Sequence, residues 1–250
     1  MRHDGRMTPT PLPDPALPVD DDRPVVIDRR EGPHGEVVLR RHGALLQIVA
    51  NGCFLMDTSD GRSERLLVTE AFAALAGGGR AGAPPSVLIG GLGVGFSLAA
   101  AATEPGWGGI TVLEREAAVI DWHRAGPLGE LTGDALADPR VRLVHDDLLA
   151  HLRSVGAEYD ALCLDVDNGP DWTVTEDNDG LYSPAGLAAC RAALRPGGVL
   201  VVWSAHASER FVENLRKAGF ADVRTREVPV ARGVPDVLFL ASHHLASQSA

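Results

Sequence analysis

A glycine-rich turn between an apolar segment and a helix-forming segment constrains the fold of this chain more than any other feature. Val87-Leu88-Ile89 is the apolar segment, Gly90-Gly91-Leu92-Gly93-Val94-Gly95 is the turn, and residues 96–102 have the composition of a helix start. A doubly wound sheet uses strand, glycine turn and helix in this order to bring its backbone close to a nucleotide. The stretch therefore predicts a nucleotide site at Gly90, Gly91, Gly93 and Gly95.

A carboxylate follows this turn at the spacing expected for a ribose contact. The apolar run Ile110-Thr111-Val112-Leu113 ends at Glu114, about 20 residues after the last glycine of the turn. In nucleotide-binding α/β sheets an acid at this position accepts hydrogen bonds from the ribose hydroxyls. We expect Glu114 to have this role, and the alternative is a solvated acid at a strand end.

Predicted strands and helices alternate from residue 86 onward. The strands are Val87–Gly90, Ile110–Glu114, Val141–Val144, Tyr159–Asp165, Val199–Trp203, Ala221–Val228 and Val237–Ala241, and the helices are Phe96–Thr103, Ala117–Arg124, Asp147–Val155, Ser183–Leu194 and Ser208–Ala218. This order predicts an α/β fold with a mostly parallel, seven-stranded Rossmann-like sheet and right-handed crossovers. No long helix separates the last two strands, so we expect an antiparallel hairpin there. Seven strands with a reversed final pair is the class I methyltransferase arrangement.

The chain before this sheet divides into two parts. Residues 1–35 hold seven of the 17 prolines, a composition that predicts a disordered tail. Residues 36–80 hold short apolar runs separated by His42-Gly43 and Asn51-Gly52, and Asn-Gly between apolar runs indicates a hairpin. We expect a small antiparallel β unit and a connecting helix over Ser63–Leu75, followed by a nucleotide-binding domain over residues 81–250.

Charge and cysteine content narrow the class of partner. The net charge of −11 argues against nucleic acid and anionic membranes, because both are polyanions. The three cysteines form no Cys-x-x-Cys pattern, and no cluster of ligating side chains has metal-ligand spacing, so neither a disulfide framework nor a metal site is expected. The sequence has no signal-like or membrane-spanning apolar run, which predicts a cytoplasmic protein.

Acids follow the third and fourth predicted strands, where an open α/β sheet places its ligand. Asp146 and Asp147 are candidates for binding an adenine amine, and Asp147 is also placed to cap the next helix. Asp165 and Asp167 are close enough in sequence to raise each other's pKa, which suits a proton acceptor or the binding of a cationic amine. The competing interpretation is an Asp-rich turn at Asp167-Asn168-Gly169-Pro170.

A long segment after Asp167 carries Trp172 and Tyr182 among several acids. Long connections between a strand and its helix are often substrate-binding loops. Aromatic rings together with acids suit a cationic substrate through cation–π contact and charge. Asp167, Trp172 and Tyr182 are therefore candidate substrate contacts, and a solvated acidic loop is the alternative.

Taken in order, these motifs resemble the spermidine synthase (polyamine aminopropyltransferase) family over residues 36–241. Val87–Gly95 matches the nucleotide loop, Glu114 the ribose acid, and His145-Asp146-Asp147 the adenine-binding segment. Asp165 matches the first acid of the family's Asp-Ser-Ser-Asp-Pro loop, and Leu181-Tyr182-Ser183 matches its Leu-Phe/Tyr element. The resemblance implies a small N-terminal β domain, a class I methyltransferase-like domain and decarboxylated S-adenosylmethionine as ligand. It also implies that Asp165 is the base that deprotonates the attacking amine, and it allows a homodimer, which is common in the family.

The chain departs from the family at three places. Val94 stands where the family's glycine loop has an aspartate that holds the amine of the aminopropyl tail. Asn168 replaces the second acid of the catalytic loop, and the family's Tyr-Gln pair has no equivalent around Ser63-Glu64-Arg65. The nucleotide pocket is retained while both amine-holding acids are lost, which indicates a divergent, spermidine synthase-like branch.

We therefore predict a transferase that uses a sulfonium nucleotide of the S-adenosylmethionine type and no metal. Methyl transfer to a small acceptor, with amines among the candidates, is favoured by the lost acids. Asp165, with Asp167, would orient or deprotonate the acceptor. One alternative is aminopropyl transfer from decarboxylated S-adenosylmethionine to a diamine, with Asp167 replacing the missing acid, and another is a non-catalytic nucleotide-binding protein. A nicotinamide dehydrogenase is disfavoured by the reversed final strand pair and by the loop at residues 165–170.

Overall fold

Two sheets organise the chain. The computed structural model describes residues 23–77, 82–166, 168–171, 179–230 and 233–243. A four-stranded antiparallel sheet comes first, and a seven-stranded, mostly parallel sheet follows. This confirms the predicted fold class, an α/β sheet preceded by a small antiparallel β unit.

The N-terminal sheet has the strand order β1-β2-β3-β4. Its strands are β1 (Val25–Gly32), β2 (Gly35–His42), β3 (Leu45–Ala50) and β4 (Cys53–Asp57). Asn51 and Gly52 join β3 to β4 with φ angles of 50° and 78°, as expected for a tight turn with two left-handed residues. The Asn51 side chain also accepts a hydrogen bond from the Glu36 amide at 3.0 Å, so the predicted hairpin turn between β3 and β4 is also hydrogen-bonded to β2.

The predicted tail over residues 1–35 extends too far toward the C-terminus. Residues 1–22 lie outside the described residues, but Val25–Gly32 forms β1 and pairs with β2. The run Val25-Val26-Ile27 has β-branched side chains, which favour a strand. Asp28 then accepts a hydrogen bond from the Trp122 indole at 2.8 Å, and this contact fastens β1 to the large domain.

The remaining elements build the large domain. The connecting helix α1 (Arg62–Gly77) leads into β5 (Ser86–Gly90), α2 (Phe96–Thr103), β6 (Gly109–Glu114), α3 (Ala117–Arg124), α4 (Gly129–Thr132), a 3-10 helix (Gly133–Ala137), β7 (Val141–His145), α5 (Leu148–Ser154), β8 (Tyr159–Leu164), α6 (Asp179–Tyr182), α7 (Pro184–Ala193), β9 (Leu194–Ser204), α8 (Glu209–Lys217), β10 (Ala221–Val228) and β11 (Asp236–Ser242). All seven predicted strands and the predicted helices are present. The short helices α4 and α6 and the 3-10 turn were not predicted, because such short pieces leave no periodic pattern.

The large sheet has the strand order β10-β11-β9-β8-β5-β6-β7. β11 runs antiparallel to both of its neighbours, and the pairs among the other strands are parallel. The chain moves from β5 through β6 to β7 on one side, and then returns to β8 on the other side of β5. The switch point where open α/β sheets bind ligands therefore lies between β5 and β8.

The Pro196-Gly197-Gly198 segment has the composition of a tight turn, yet it lies inside a strand. β9 continues through it from Leu194 to Ser204. The register against β8 jumps from the Tyr159–Leu194 pair to the Ala161–Val199 pair, so the extra residues form a bulge. Gly197 and Gly198 exchange backbone hydrogen bonds of 2.7 Å with His243, which explains why the strand is not interrupted.

Alternate residues of the parallel strands pack into two separate cores. Val87 and Ile89 of β5 face the cluster that α1, α2 and the N-terminal sheet complete. Leu88 faces the opposite cluster, to which α5, α7 and α8 contribute. The sheet is therefore covered on both faces, and its ligand has access only at the strand ends.

We expect Phe211→Ala to lower the free energy of unfolding by about 3–5 kcal/mol. Phe211 is 1% exposed and packs edge-to-face between Tyr182 and Phe239 at centroid distances of 5.6 and 5.0 Å. Urea denaturation measures the change. Phe54→Ala is the control, because Phe54 is 48% exposed and its removal should cost less than about 0.5 kcal/mol. Equal losses in the two variants would contradict this account of the core.

Candidate functional site

A cavity of about 1140 Å³ opens at the switch point. Its walls come from the N-terminal sheet, the start of α1, the glycine turn after β5, and the ends of β6, β7 and β8. The volume is at the upper end of the range for small-molecule sites. The cavity thus lies where the sequence predicts a nucleotide, and the N-terminal sheet closes one side of it.

The glycine turn (Gly90–Gly95) forms part of the cavity wall through Gly91 and Gly93. Both have left-handed φ angles, 91° and 50°, which favour glycine. A side chain on Gly91 would overlap the carbonyl oxygen of Asp165, and one on Gly93 would overlap the Met56 thioether. The turn therefore needs these glycines so that β8 and β4 can approach it closely.

Glu114 lines the cavity at the end of β6, as predicted. Its carboxylate accepts hydrogen bonds from the Leu92 amide at 3.0 Å and from the Glu116 amide at 2.8 Å. Burial raises the pKa of Glu114, and the two backbone donors act in the opposite direction. Glu114 thus holds the glycine turn to β6, which is a structural role that sequence analysis did not assign.

Asp146 and Asp147 lie together beside this carboxylate and line the same part of the cavity. Asp147 caps α5, because its side chain accepts a hydrogen bond from the Ala150 amide at 2.7 Å. Asp146 is exposed, and its carboxylate accepts from the Asp147 amide at 2.9 Å. Of the two predicted adenine contacts, Asp146 is therefore the more available for a ligand.

Asp165 lies on the cavity wall directly after β8. Its amide donates to the Gly90 carbonyl at 2.9 Å, and its carboxylate accepts a long hydrogen bond of 3.4 Å from the Ser97 hydroxyl. Burial, followed by the nearby charge of Glu64, raises the pKa of Asp165 to about 8. A carboxylate with such a pKa is suited to accept a proton near neutral pH.

Sequence analysis missed two acids that the fold brings beside Asp165. Glu64 is at the start of α1 and Asp236 is at the start of β11, and both line the cavity. The Ser63 hydroxyl lies between them, 2.9 Å from the Glu64 carboxylate and 2.7 Å from that of Asp236. Burial is the main cause that raises the pKa of both acids, and the charge of Asp60 adds to the rise in each case. We call Glu64, Asp165 and Asp236 the acid cluster.

The two arginines that line the cavity among the described residues form ion pairs with other acids. Arg62 pairs with Asp60 at 3.4 Å and donates to the Pro229 carbonyl at 2.7 Å. Arg115 pairs with Glu116 at 3.4 Å, near Glu114. The acid cluster is therefore a place where a bound cationic group would favour the ionised form of the carboxyl groups.

Two other positions considered in the sequence, Tyr182 and Val94, are not part of the cavity wall. Tyr182 is buried against Phe211, and its hydroxyl donates to the Val166 carbonyl at 3.0 Å, so it supports the loop after β8 from behind. Val94 is 0% exposed and belongs to the core. A carboxylate at that position would be buried, so Val94 gives no information about the donor. Asp167 and Trp172 lie outside the described residues, and their roles stay predictions.

The fold is that of the spermidine synthases. No family model matches the chain, and no curated protein matches it by sequence. Among solved structures, a spermidine synthase in complex with the transition-state analogue AdoDATO superposes with a TM-score of 0.72 at 17% identity, covering 87% of this chain and 73% of that one. The spermidine synthase of Thermotoga maritima gives 0.69 at 18% identity, covering 87% and 72%. A probable spermidine synthase of Corynebacterium glutamicum ATCC 13032 gives 0.59 at 16% identity, covering 89% and 83%.

These similarities confirm the predicted resemblance at the level of the fold. Within the described ranges, no three His, Cys, Asp or Glu side chains are grouped so that they could hold a metal ion. In the same part of the chain, no helix is both long enough and apolar enough to cross a membrane.

The pKa of Asp165 predicts a specific pH dependence of stability. An unfolded aspartate titrates near pH 4, whereas Asp165 in the folded chain titrates at about 8. Between these values the folded state holds more protons, so its stability falls as pH rises. We therefore expect Asp165→Asn to gain stability relative to the unmodified chain from about pH 4 to pH 8, measured by chemical denaturation at several pH values.

Asp138→Asn is a control for which we expect a change in stability of the opposite sign. Hydrogen bonds from Arg140 lower the pKa of Asp138, so its substitution should destabilise the chain at neutral pH, and the loss should disappear below about pH 4. Parallel stability curves for the unmodified chain and Asp165→Asn would contradict the burial and charge described for Asp165.

Proposed function

We propose that this chain transfers an aminopropyl group from decarboxylated S-adenosylmethionine to a small amine. The observation that carries the proposal is the acid cluster on the cavity wall, where Asp165 lies beside the glycine turn. Both substrates of such a reaction carry ammonium groups, which the cluster would attract. S-adenosylmethionine also carries a carboxylate, which the same cluster would repel.

The arrangement of the cavity wall supports the orientation of the donor. Glu114 and Asp146 follow β6 and β7, on one side of β5 and its glycine turn, whereas Asp165 of the acid cluster follows β8 on the other side. A donor that extends along the turn would thus direct its aminopropyl tail toward the acids. The solved spermidine synthase with AdoDATO has the same fold, which supports an adenosyl ligand in this cavity.

Asp165 would act as the base in this proposal. The donor supplies an aminopropyl carbon bonded to a sulfonium sulfur, which departs as the neutral thioether of methylthioadenosine. Asp165 would take one proton from the acceptor ammonium so that the nitrogen lone pair is free to form the new C–N bond. A bound cation would lower the pKa of Asp165 and favour its ionised, proton-accepting form.

Methyl transfer, favoured by the sequence, is the second candidate. Asn168 lines the cavity where the resemblance implies an acid, and this position supports a neutral acceptor. The other argument for methyl transfer was that Val94 stands where the family has an aspartate. Because the Val94 side chain is buried in the core and does not line the cavity, we do not count it for either donor. The acid cluster replaces the missing carboxylates from α1 and β11, and for this reason we favour aminopropyl transfer.

We expect incubation with decarboxylated S-adenosylmethionine and a diamine such as putrescine to release methylthioadenosine. S-adenosylmethionine with the same acceptor should release no S-adenosylhomocysteine, and both products are measured by mass spectrometry. Asp165→Asn should lower kcat by about 10²–10⁴-fold, because it removes the base. The exposed Asp134→Asn variant is the control and should keep full activity. Release of S-adenosylhomocysteine alone would establish the methyl alternative.

We expect Asp236→Asn to raise the KM for the diamine by about ten- to a hundredfold, because a hydrogen bond to an ammonium group is lost. The affinity for methylthioadenosine, which has no ammonium tail, should not change, and calorimetry measures it. Glu70→Gln on the same helix as Glu64, outside the cavity wall, is a matched acid-to-amide control. An unchanged KM would remove Asp236 from the amine site.

A further inference from the structure

We propose that His123 is a positioning residue for the donor, because it fixes the orientation of the peptide bond between Gly93 and Val94. The proposal rests on the use of the cavity for an adenosyl donor. His123 is on α3, behind the glycine turn, and its Nε2 lies 2.8 Å from the Gly93 carbonyl oxygen. A carbonyl oxygen only accepts, so the imidazole must donate from Nε2.

The surroundings of His123 favour a neutral imidazole whose N–H donates to the glycine turn. The side chain is 3% exposed. Burial is the main cause that lowers its pKa, while hydrogen bonds with the Gly93 and Leu128 backbones act in the opposite direction, and the lowered pKa favours a neutral ring with a single N–H. That N–H is committed to Gly93, and the Thr132 hydroxyl lies 3.5 Å from Nδ1. His123 therefore contributes no charge to the cavity, and its contribution is the hydrogen bond to the turn.

The same peptide bond is held at its other end by Met56. The Val94 amide donates to the Met56 thioether at 3.3 Å, and Met56 lines the cavity from β4. The carbonyl of Gly93 and the amide of Val94 belong to one peptide plane, so a residue of α3 and a residue of β4 each form a hydrogen bond to one end of that plane. Because glycine tolerates left- and right-handed conformations about equally, Gly93 alone does not prevent the plane from rotating.

The hydrogen bond from His123 to Gly93 is stronger than the hydrogen bond from Val94 to Met56. A thioether is a weak acceptor, whereas the imidazole donates to a carbonyl at normal length. The imidazole also packs against the turn itself, since a side chain on Gly95 would lie 2.9 Å from His123 Cε1. Without His123 we expect the Gly93–Val94 plane to rotate, which would change the cavity wall at Gly93.

The test compares His123→Leu, which removes the donor, with His123→Gln, which keeps an N–H on a side chain of similar reach. Calorimetry with methylthioadenosine measures affinity for the adenosyl part of the site, and steady-state kinetics measures the KM of the diamine. We expect His123→Leu to weaken methylthioadenosine binding about tenfold and to leave the diamine KM unchanged. His123→Gln should restore binding to within about threefold of the unmodified chain.

His151→Leu is the matched control, because His151 also uses its Nε2 in one hydrogen bond, to the Tyr159 hydroxyl at 2.8 Å, but that bond joins α5 to β8 and not to the glycine turn. It should not affect methylthioadenosine binding. Equal binding by His123→Leu and the unmodified chain would overturn the proposal, and so would an equal loss in His151→Leu. If the unmodified chain bound no adenosyl compound, the proposed function and this inference would both fail.

A spectroscopic measurement tests the proposal even if His123→Leu does not fold. Long-range ¹H–¹⁵N NMR of the unmodified chain should show His123 as the neutral Nε2–H tautomer, with its signals shifted by bound methylthioadenosine. A purely structural histidine away from the donor would show no such shift. An Nδ1–H tautomer, or signals unchanged by the ligand, would overturn the proposal.

Discussion

The site depends on the close approach of β8 to the glycine turn at the switch point of the large sheet. The Asp165 amide donates to Gly90, and the Asp165 carbonyl occupies the space that a side chain on Gly91 would need. This junction ends β8 beside the turn and places the Asp165 carboxylate at the cavity wall. The glycine turn and a candidate base are thus positioned by one backbone contact, and a larger residue at Gly91 would separate them.

The acid cluster has a cost in stability that a structural role alone does not explain. Burial raises the pKa of Glu64, Asp165 and Asp236. The charge of Glu64 also raises the pKa of Asp165, and the charge of Asp236 raises the pKa of both Glu64 and Asp165. Groups strained in this way tend to occur at functional sites, where a ligand relieves the repulsion. A cationic substrate would provide that relief. The repulsion among the buried acids is therefore itself a reason to expect the proposed activity.

The sequence predicted most of the fold because its signals were local. The Val87–Gly95 segment, the Asn51-Gly52 hairpin and the alternation of strands and helices depend on neighbouring residues, and each was confirmed. Glu64 and Asp236 were missed because they are 172 positions apart in the sequence and only the folded chain brings them together. Ser63, whose hydroxyl contacts both carboxylates, is 173 positions from Asp236. The core position of Val94 was not foreseen for a related reason, since alignment to a motif does not tell which side of a turn a side chain faces. Strand β1 was missed because the prolines and acids of the segment around it resemble a disordered tail.

The contact between Met56 and the glycine turn has a consequence for the order in which the molecule assembles. Met56 belongs to one sheet and Val94 to the turn of another, and 38 positions separate them. Contacts of this kind form only after the chain between them has closed a loop. The cavity is therefore completed when the N-terminal sheet docks onto the large domain, and the large domain alone would leave the cavity open on that side.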